Sequence, residues 1–212
     1  MTRRFLDIVS TPAVLAARTA NGSFAAYDAP PATKTPDRLG EAEADFIARR
    51  DSFYLASASE TGWPYVQHRG GPAGFLKVID EETLAFPDFR GNRQYLSLGN
   101  ISADDRVALI LMDYANRTRL KLLGRMTTRD LATNPDLADR LLLPDYKGRP
   151  ERAFVIKVEA FDWNCPQHIT PRFTAAEVEA AATSFRRRLA MLEAENEALR
   201  SQLAHQTPET NS

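Results

Sequence analysis

Residues 83–112, TLAFPDFRGNRQYLSLGNISADDRVALILM, decide the fold. An apolar run at 84–87, a turn, an amphipathic stretch at 93–101 and a second apolar run at 107–112 predict strand, turn, short helix and strand. Gly91 permits a sharp reversal and Asn92 is a suitable helix N-cap, while Arg90 and Arg93 set two guanidinium groups beside the free backbone N–H groups of the helix's first turn. That combination seats an anion, a phosphate above all. The plainer alternative is a surface turn carrying two solvated arginines.

Around this block the pattern is mostly β. Residues 53–59 and 64–70 read as a hairpin closed by Glu60-Thr61-Gly62, and its return strand puts Tyr65, Gln67 and Arg69 on one face and Val66 and His68 on the other. Further strands are expected at 75–79, 118–127 and 152–163. On 118–127 the apolar Leu120 and Leu122 alternate with Arg119 and Lys121, a cationic row aimed at water or a bound anion. Helices are expected after Thr11-Pro12 with a stop at Asn21-Gly22, from Thr35-Pro36 to about Arg50, and over 130–143 under Asp130 and Thr133. The Pro-rich 29–36 reads as a linker. Six or seven short antiparallel strands without βαβ alternation argue for a closed or nearly closed barrel.

Composition bounds the function. With 212 residues, 43% of them hydrophobic, the chain can bury one domain with an appendage, and a net charge of -1 leaves any basic site local. Nucleic-acid binding is disfavoured, because no aromatic-basic array accompanies that balanced charge. A single cysteine, Cys165, excludes an intrachain disulfide framework and fits a reducing cytoplasm. Cys165 and His168 lie three apart but lack the further ligands a metal needs, and no base and oxyanion site are nominated for a cysteine nucleophile. No signal peptide or membrane span is expected.

Residues 174–203 are of another kind. Thr174 and Glu177 form a capping box, and Val178, Ala182, Phe185, Leu189, Leu192, Asn196, Leu199 and Leu203 recur at steps of four and three. With Ala182, Leu189, Asn196 and Leu203 at a, Asn196 is the one polar seam residue. Arg188 and Glu195 at g then face Glu193 and Arg200 at e of a partner, so a parallel homodimeric coiled coil is expected, against a solvated helix packed on its own barrel.

The order of the hairpin GWPYVQHRGG, the block GFLKVIDEETLAFPDFRGNRQY, VALILMDY and NRTRLKLLGRM resembles the pyridoxamine 5′-phosphate oxidase-like family of FMN-binding split barrels over about 51–129, and FDWNCPQHITPRF resembles an uncharacterised branch of it. The resemblance implies a mainly β fold with peripheral helices, a six-stranded antiparallel split β-barrel, here with the C-terminal coiled-coil helix added. It also implies an obligate homodimer with FMN at the subunit interface. The domains are then 1–50, a helical segment on the barrel; 51–173, the FMN-binding barrel; 174–205, the coiled-coil helix; and 206–212, a disordered tail. The family's flavin contacts fall on Gln67, His68, Arg69 and Gly70, on Pro87 and Asp88, on Asn92, Arg93 and Gln94 at the phosphate turn, and on Arg119. Gln67 and Gln94 stand where the vitamin B6 oxidase has an arginine and a lysine, and Arg69, Arg90 and Arg119 are the candidates to restore that charge. By the same resemblance Trp163 and Arg172 sit over the flavin. The substrate element of the B6 enzyme is not reproduced: His168 and Arg172 lie four apart, and Arg140 has no matching tyrosine.

The function expected is a cytoplasmic FMN-dependent oxidoreductase of unread substrate, with His168 and Arg172 as the candidates to meet it. The alternatives are a non-catalytic flavin-binding or flavin-sensing module joined to a partner by its tail, and a haem-handling relative with His68 or His168 as axial ligand.

Overall fold

The computed structural model describes residues 3–23, 35–163 and 166–206. Along them run α1 (Arg3–Val9), α2 (Pro12–Ala20), α3 (Glu41–Ala48), β1 (Ser52–Ala58), β2 (Pro64–Gly70), β3 (Lys77–Asp80), β4 (Thr83–Phe89), α4 (Leu96–Ala103), β5 (Arg106–Asp113), β6 (Thr118–Arg129), α5 (Pro135–Arg140), β7 (Pro150–Trp163) and α6 (Ala175–Gln206). The chain divides into two compact units, Met1–Ile169 and Thr170–Ser212. Cys165, most of the Pro-rich linker and residues 207–212 of the expected disordered tail lie outside the described residues, while Gln206, expected in that tail, ends α6.

The first unit is mainly β. Its strands form one antiparallel sheet of seven, not six, in the order β2-β1-β5-β6-β7-β4-β3. The sheet does not close, since the edge strands β2 and β3 are not paired to each other. It is nevertheless rolled: β1 and β4, with three strands between them in that order, meet where the Phe53 ring packs edge-on against Phe86 at 5.1 Å. The inner face is apolar because alternate residues turn inward, so Leu55, Leu111, Leu120, Leu122 and Phe154 are buried. A register shift between Leu123 and Gly124 lets β6 bend against β7.

Three helix starts fall later than the sequence predicts, each for a local reason. Helix α3 begins at Glu41, not Pro36, because the backbone N–H groups of Asp37 and Leu39 donate to Glu159 O and Glu81 O and hold 37–39 extended. The Glu43 carboxylate then accepts from Gly40 N at 2.9 Å and caps the first turn. Helix α5 is confined to Pro135–Arg140, because Asp130 spends its carboxylate on Ala132 N in a turn. The α4 start is part of the site. Where Thr11 caps α2 the prediction and the structure agree, and α1 is an additional helix whose Arg4 pairs with Glu159 of β7 at 3.4 Å.

The second unit carries α6. Its start is the expected capping box: Thr174 N donates to Glu177 Oε2 at 2.7 Å, and Glu177 N donates to Thr174 Oγ1 at 3.2 Å. No helix among the described residues is long and apolar enough to cross a membrane.

Candidate functional site

The turn after β4 is built differently from the expected Gly91 reversal with an Asn92 cap. Gly91 does not take a left-handed conformation; Arg93 (φ 62°) and Tyr95 (φ 53°) do. Each costs a non-glycine residue about 1–2 kcal/mol, and two of them prevent a helix from starting before Leu96. Asn92 caps no helix; its Oδ1 accepts from Gln94 N at 3.2 Å and shapes the turn. Strain held by residues that cannot relieve it cheaply is characteristic of binding turns.

A cleft runs between this turn, the inward side chains of β2 and the start of β7. It is lined by Gln67, Arg69, Asp88, residues 91–98 and Glu151. Arg69 donates from Nη1 to Asp88 Oδ1 at 2.8 Å and lies over the Phe154 ring at 5.2 Å. Its Nε is buried without a hydrogen-bond partner. Gln67 Oε1 accepts from the buried Ser97 Oγ at 2.9 Å, which ties β2 to the first turn of α4. At the mouth, Glu151 gathers the cations: Arg90 Nε stands 3.7 Å and Arg152 Nη2 3.4 Å from its carboxylate, and Tyr95 OH donates to it at 3.3 Å. Arg93 Nε donates in turn to Tyr95 OH at 3.4 Å, a bond that raises the Arg93 guanidinium above its ordinary pKa. Four guanidinium groups (Arg69, Arg90, Arg93 and Arg152) therefore face two carboxylates (Asp88 and Glu151), leaving an excess of two positive charges.

A second, contiguous recess lies behind Gln67 and Arg69, lined by Gly70, Pro87 and Phe89 among others. The two hold about 60 Å³ and 170 Å³. Small-molecule sites begin at about 300 Å³. A larger groove of about 430 Å³, between α1 and the ends of β1, β5 and β6, has a floor of Ala56, Ala58, Ala108 and Leu123. Its cations are engaged: Arg4 pairs with Glu159, Arg125 with Asp105, and Arg106 with Asp104, whose carboxyl it holds down to about 2 by hydrogen bonding and charge. Three guanidiniums there face the carboxylates of Asp104, Asp105 and Glu159, which leaves no excess of positive charge for a phosphate, and Arg4 Nε, like Arg69 Nε, is buried without a hydrogen-bond partner.

Nine of the residues predicted to hold a cofactor meet here: Gln67, His68, Arg69, Gly70, Pro87, Asp88, Asn92, Arg93 and Gln94. The His68 ring is the exception in orientation, turned to the outer face of the sheet against Tyr54 at 5.6 Å. Arg119 does not line the cleft of its own chain; it projects from the outer face of β6, and its Nε is buried without a hydrogen-bond partner. Lys121 does not join it in a row aimed at an anion, because its Nζ closes onto the fully buried Asp162 at 2.7 Å. Trp163 is not a cleft residue either: Nε1 donates to Glu43 Oε1 at 2.6 Å and the ring packs on Phe46 at 4.9 Å, fastening α3 to β7. His168 is exposed, with φ 62°, outside both recesses, and Arg172 belongs to the second unit.

Tyr95, Ser97, Glu151 and Arg152 are site residues that the sequence reading missed. Tyr95 and Ser97 lie within residues 83–112, but a tyrosine and a serine at a helix start carry no distinctive signal. Glu151 and Arg152 arrive by pairing of β7 with β4, which sets Asp88 opposite Arg152.

Residues 39–160 match the family model described as pyridoxamine 5′-phosphate oxidase. No curated protein matches the chain. Among solved structures, HupZ from Group A Streptococcus is similar at 13% identity, over 64% of this chain and 99% of that one, with a TM-score of 0.46. An FMN-binding protein from Syntrophomonas wolfei subsp. wolfei is similar at 14% identity, over 57% and 81%, with a TM-score of 0.43. An F420 reductase is similar at 22%, over 58% and 98%, with a TM-score of 0.42.

Proposed function

Because the chain belongs to the pyridoxamine 5′-phosphate oxidase family, we propose that its rolled sheet is the split barrel of an FMN-binding protein, a flavin-dependent oxidoreductase whose cofactor lies between two copies. The observation that carries this reading is the excess of two positive charges at the strained turn. A phosphomonoester carries close to two negative charges at neutral pH. The lost cations at Gln67 and Gln94 are thus made good by Arg69, Arg90 and Arg152 rather than by the residues at those two positions.

In this arrangement Arg93 and the backbone of 91–95 hold the phosphate, and Arg69 with Gln67 holds the polar part of the ligand deeper in the cleft. A bound FMN would supply hydride transfer at its ring. The recesses of one chain are too small for an isoalloxazine ring, which supports a second copy as the other wall. The outer sheet face suits that role. Strand register puts Tyr54, Ala56, Val66, Ile110 and Met112 on one side, with Val66 60% exposed, and Arg119 beside them. From there Arg119 would reach the flavin held mainly by the other copy.

The test is the absorbance spectrum of the protein as purified, followed by identification of the chromophore released on denaturation. Flavin bands and released FMN are expected; colourless protein that cannot be reconstituted with FMN overturns the reading. Arg93→Ala should raise the FMN dissociation constant about ten- to a hundredfold, the worth of one hydrogen bond to a charged group. Bound FMN that no reductant or acceptor in a panel turns over would reduce the protein to a flavin-binding module.

A further inference from the structure

Helix α6 spans 32 residues, about 48 Å of axis, and forms the body of its own compact unit. Its apolar stripe is laid out in heptads, with Ala182, Leu189, Asn196 and Leu203 at a and Val178, Phe185, Leu192 and Leu199 at d. The stripe is uncovered: Phe185 is 76%, Leu189 57% and Leu199 52% exposed. Leu189, Leu192, Glu193, Asn196 and Arg200 line a single hollow on the helix surface, the shape into which a seam side chain of a facing helix inserts. A lone helix cannot bury its own seam, and rows of exposed leucine and phenylalanine at this spacing require a partner.

We propose that the partner is the same helix of a second copy, paired parallel and in register as a two-stranded coiled coil. Three observations choose that occupant and that geometry. In a parallel, in-register pair, Asn196 meets Asn196 of the second copy, and each amide satisfies the other. In an antiparallel pair a positions face d positions, so Asn196 would lie against an apolar d side chain, Phe185 at full overlap of the two helices, with its amide unsatisfied. The charges then exclude a slip. In register, Arg188 at g meets Glu193 at e and Glu195 at g meets Arg200 at e, all attractive. A slip of one heptad brings Arg188 and Glu195 of one copy against Arg186 and Glu193 of the other, and Arg188 of that other copy against Arg200 of the first. Self-complementarity of this kind is a property of a sequence matched to its own copy. The inference is independent of the flavin reading, because no residue of α6 lines the cleft.

The experiment uses the full chain with Cys165→Ser and Leu203→Cys. An in-register parallel pair brings the two introduced thiols within disulfide reach at an a layer, whereas an antiparallel pair holds them tens of ångströms apart. Mild oxidation should convert most of the protein to a covalent dimer, and adding Leu192→Glu and Leu199→Glu should abolish it. Thiols that remain free, as they would with an antiparallel pair or a helix of a different protein as partner, overturn the proposal. So does a covalent dimer that survives the two glutamates. The register is tested by reversing the g charges with Arg188→Glu and Glu195→Arg, which should lower the cross-linking yield at least threefold. Adding Glu193→Arg and Arg200→Glu should restore it, and a yield indifferent to both changes overturns the register. Flavin content of the same samples separates this result from the fate of the cofactor reading.

Discussion

At the scale of single residues, the cleft is governed by how arginines are shared. Glu151 sits where an anion would be held, drawing on Arg90, Arg152 and the Tyr95 hydroxyl. A ligand phosphate must compete with that carboxylate for the same donors. Glu151→Gln removes one negative charge from a group of four guanidiniums and two carboxylates, and should tighten FMN binding about three- to tenfold. Quenching of flavin fluorescence on titration measures this, and weaker binding would assign Glu151 to positioning the arginines instead. That residues 90–93 form a turn was legible in the sequence because turn chemistry is local, a Gly-Asn pair flanked by arginines announcing a loop that can hold an anion, whereas Gln94 was marked only by the family resemblance. Glu151 was not legible, because it lies 56 positions beyond Tyr95 in the chain and is brought there by strand pairing. Lys121 misled for a related reason. Alternation placed it correctly on the outer face, but only packing supplied Asp162 as its partner.

At the scale of elements, strands were read more faithfully than helix starts. Residues 64–70 are both the predicted and the observed β2, since alternation between turn signals leaves little freedom. Helix starts depend on what else the backbone can bond, as 37–39 shows by pairing with Glu81 and Glu159. The bulge between β6 and β7 is equally invisible in the sequence. There a Cβ on Gly124 would stand 2.5 Å from Lys157 O and 2.7 Å from Ile156 Cγ2. Gly124→Ala should therefore cost about 1–3 kcal/mol in chemical denaturation, the usual penalty of overpacking. The junction of α3 with β5 is fastened by Arg50, which bonds Met112 O at 3.0 Å and Asp113 at 3.0 Å. Burial pushes the Asp113 carboxyl up, but the Asn116 amides and the Arg50 charge outweigh it and hold the pKa below 3.8. A carboxyl lowered in the folded state stabilises above its ordinary value, and that contribution disappears as pH falls through the folded one. Asp113→Asn should be less stable at neutral pH by about 1 kcal/mol. The gap in melting temperature between the two proteins should close as the pH drops below 3.8.

At the scale of the whole molecule, the question is what covers the outer sheet face and the α6 stripe. Val66, being 60% exposed, contributes little to its own chain's core, so Val66→Glu should leave the fold of the single chain intact. If two copies close the flavin site through this face, the same substitution should strip the cofactor, which the ratio of flavin to protein absorbance reports. Retention of full flavin content would place the second wall elsewhere. The mainly β character, the strand order along the chain and the capped heptad helix follow from the sequence alone, because alternation and helix capping act between residues a few positions apart. Only the tertiary structure decided that the sheet keeps open edges, that Arg93 and Tyr95 rather than Gly91 bear the reversal, that Trp163 and Lys121 belong to the framework, and that Glu151 stands among the arginines. Those outcomes depend on which distant strands share a hydrogen-bond ladder, and nothing within a short window of sequence encodes that choice.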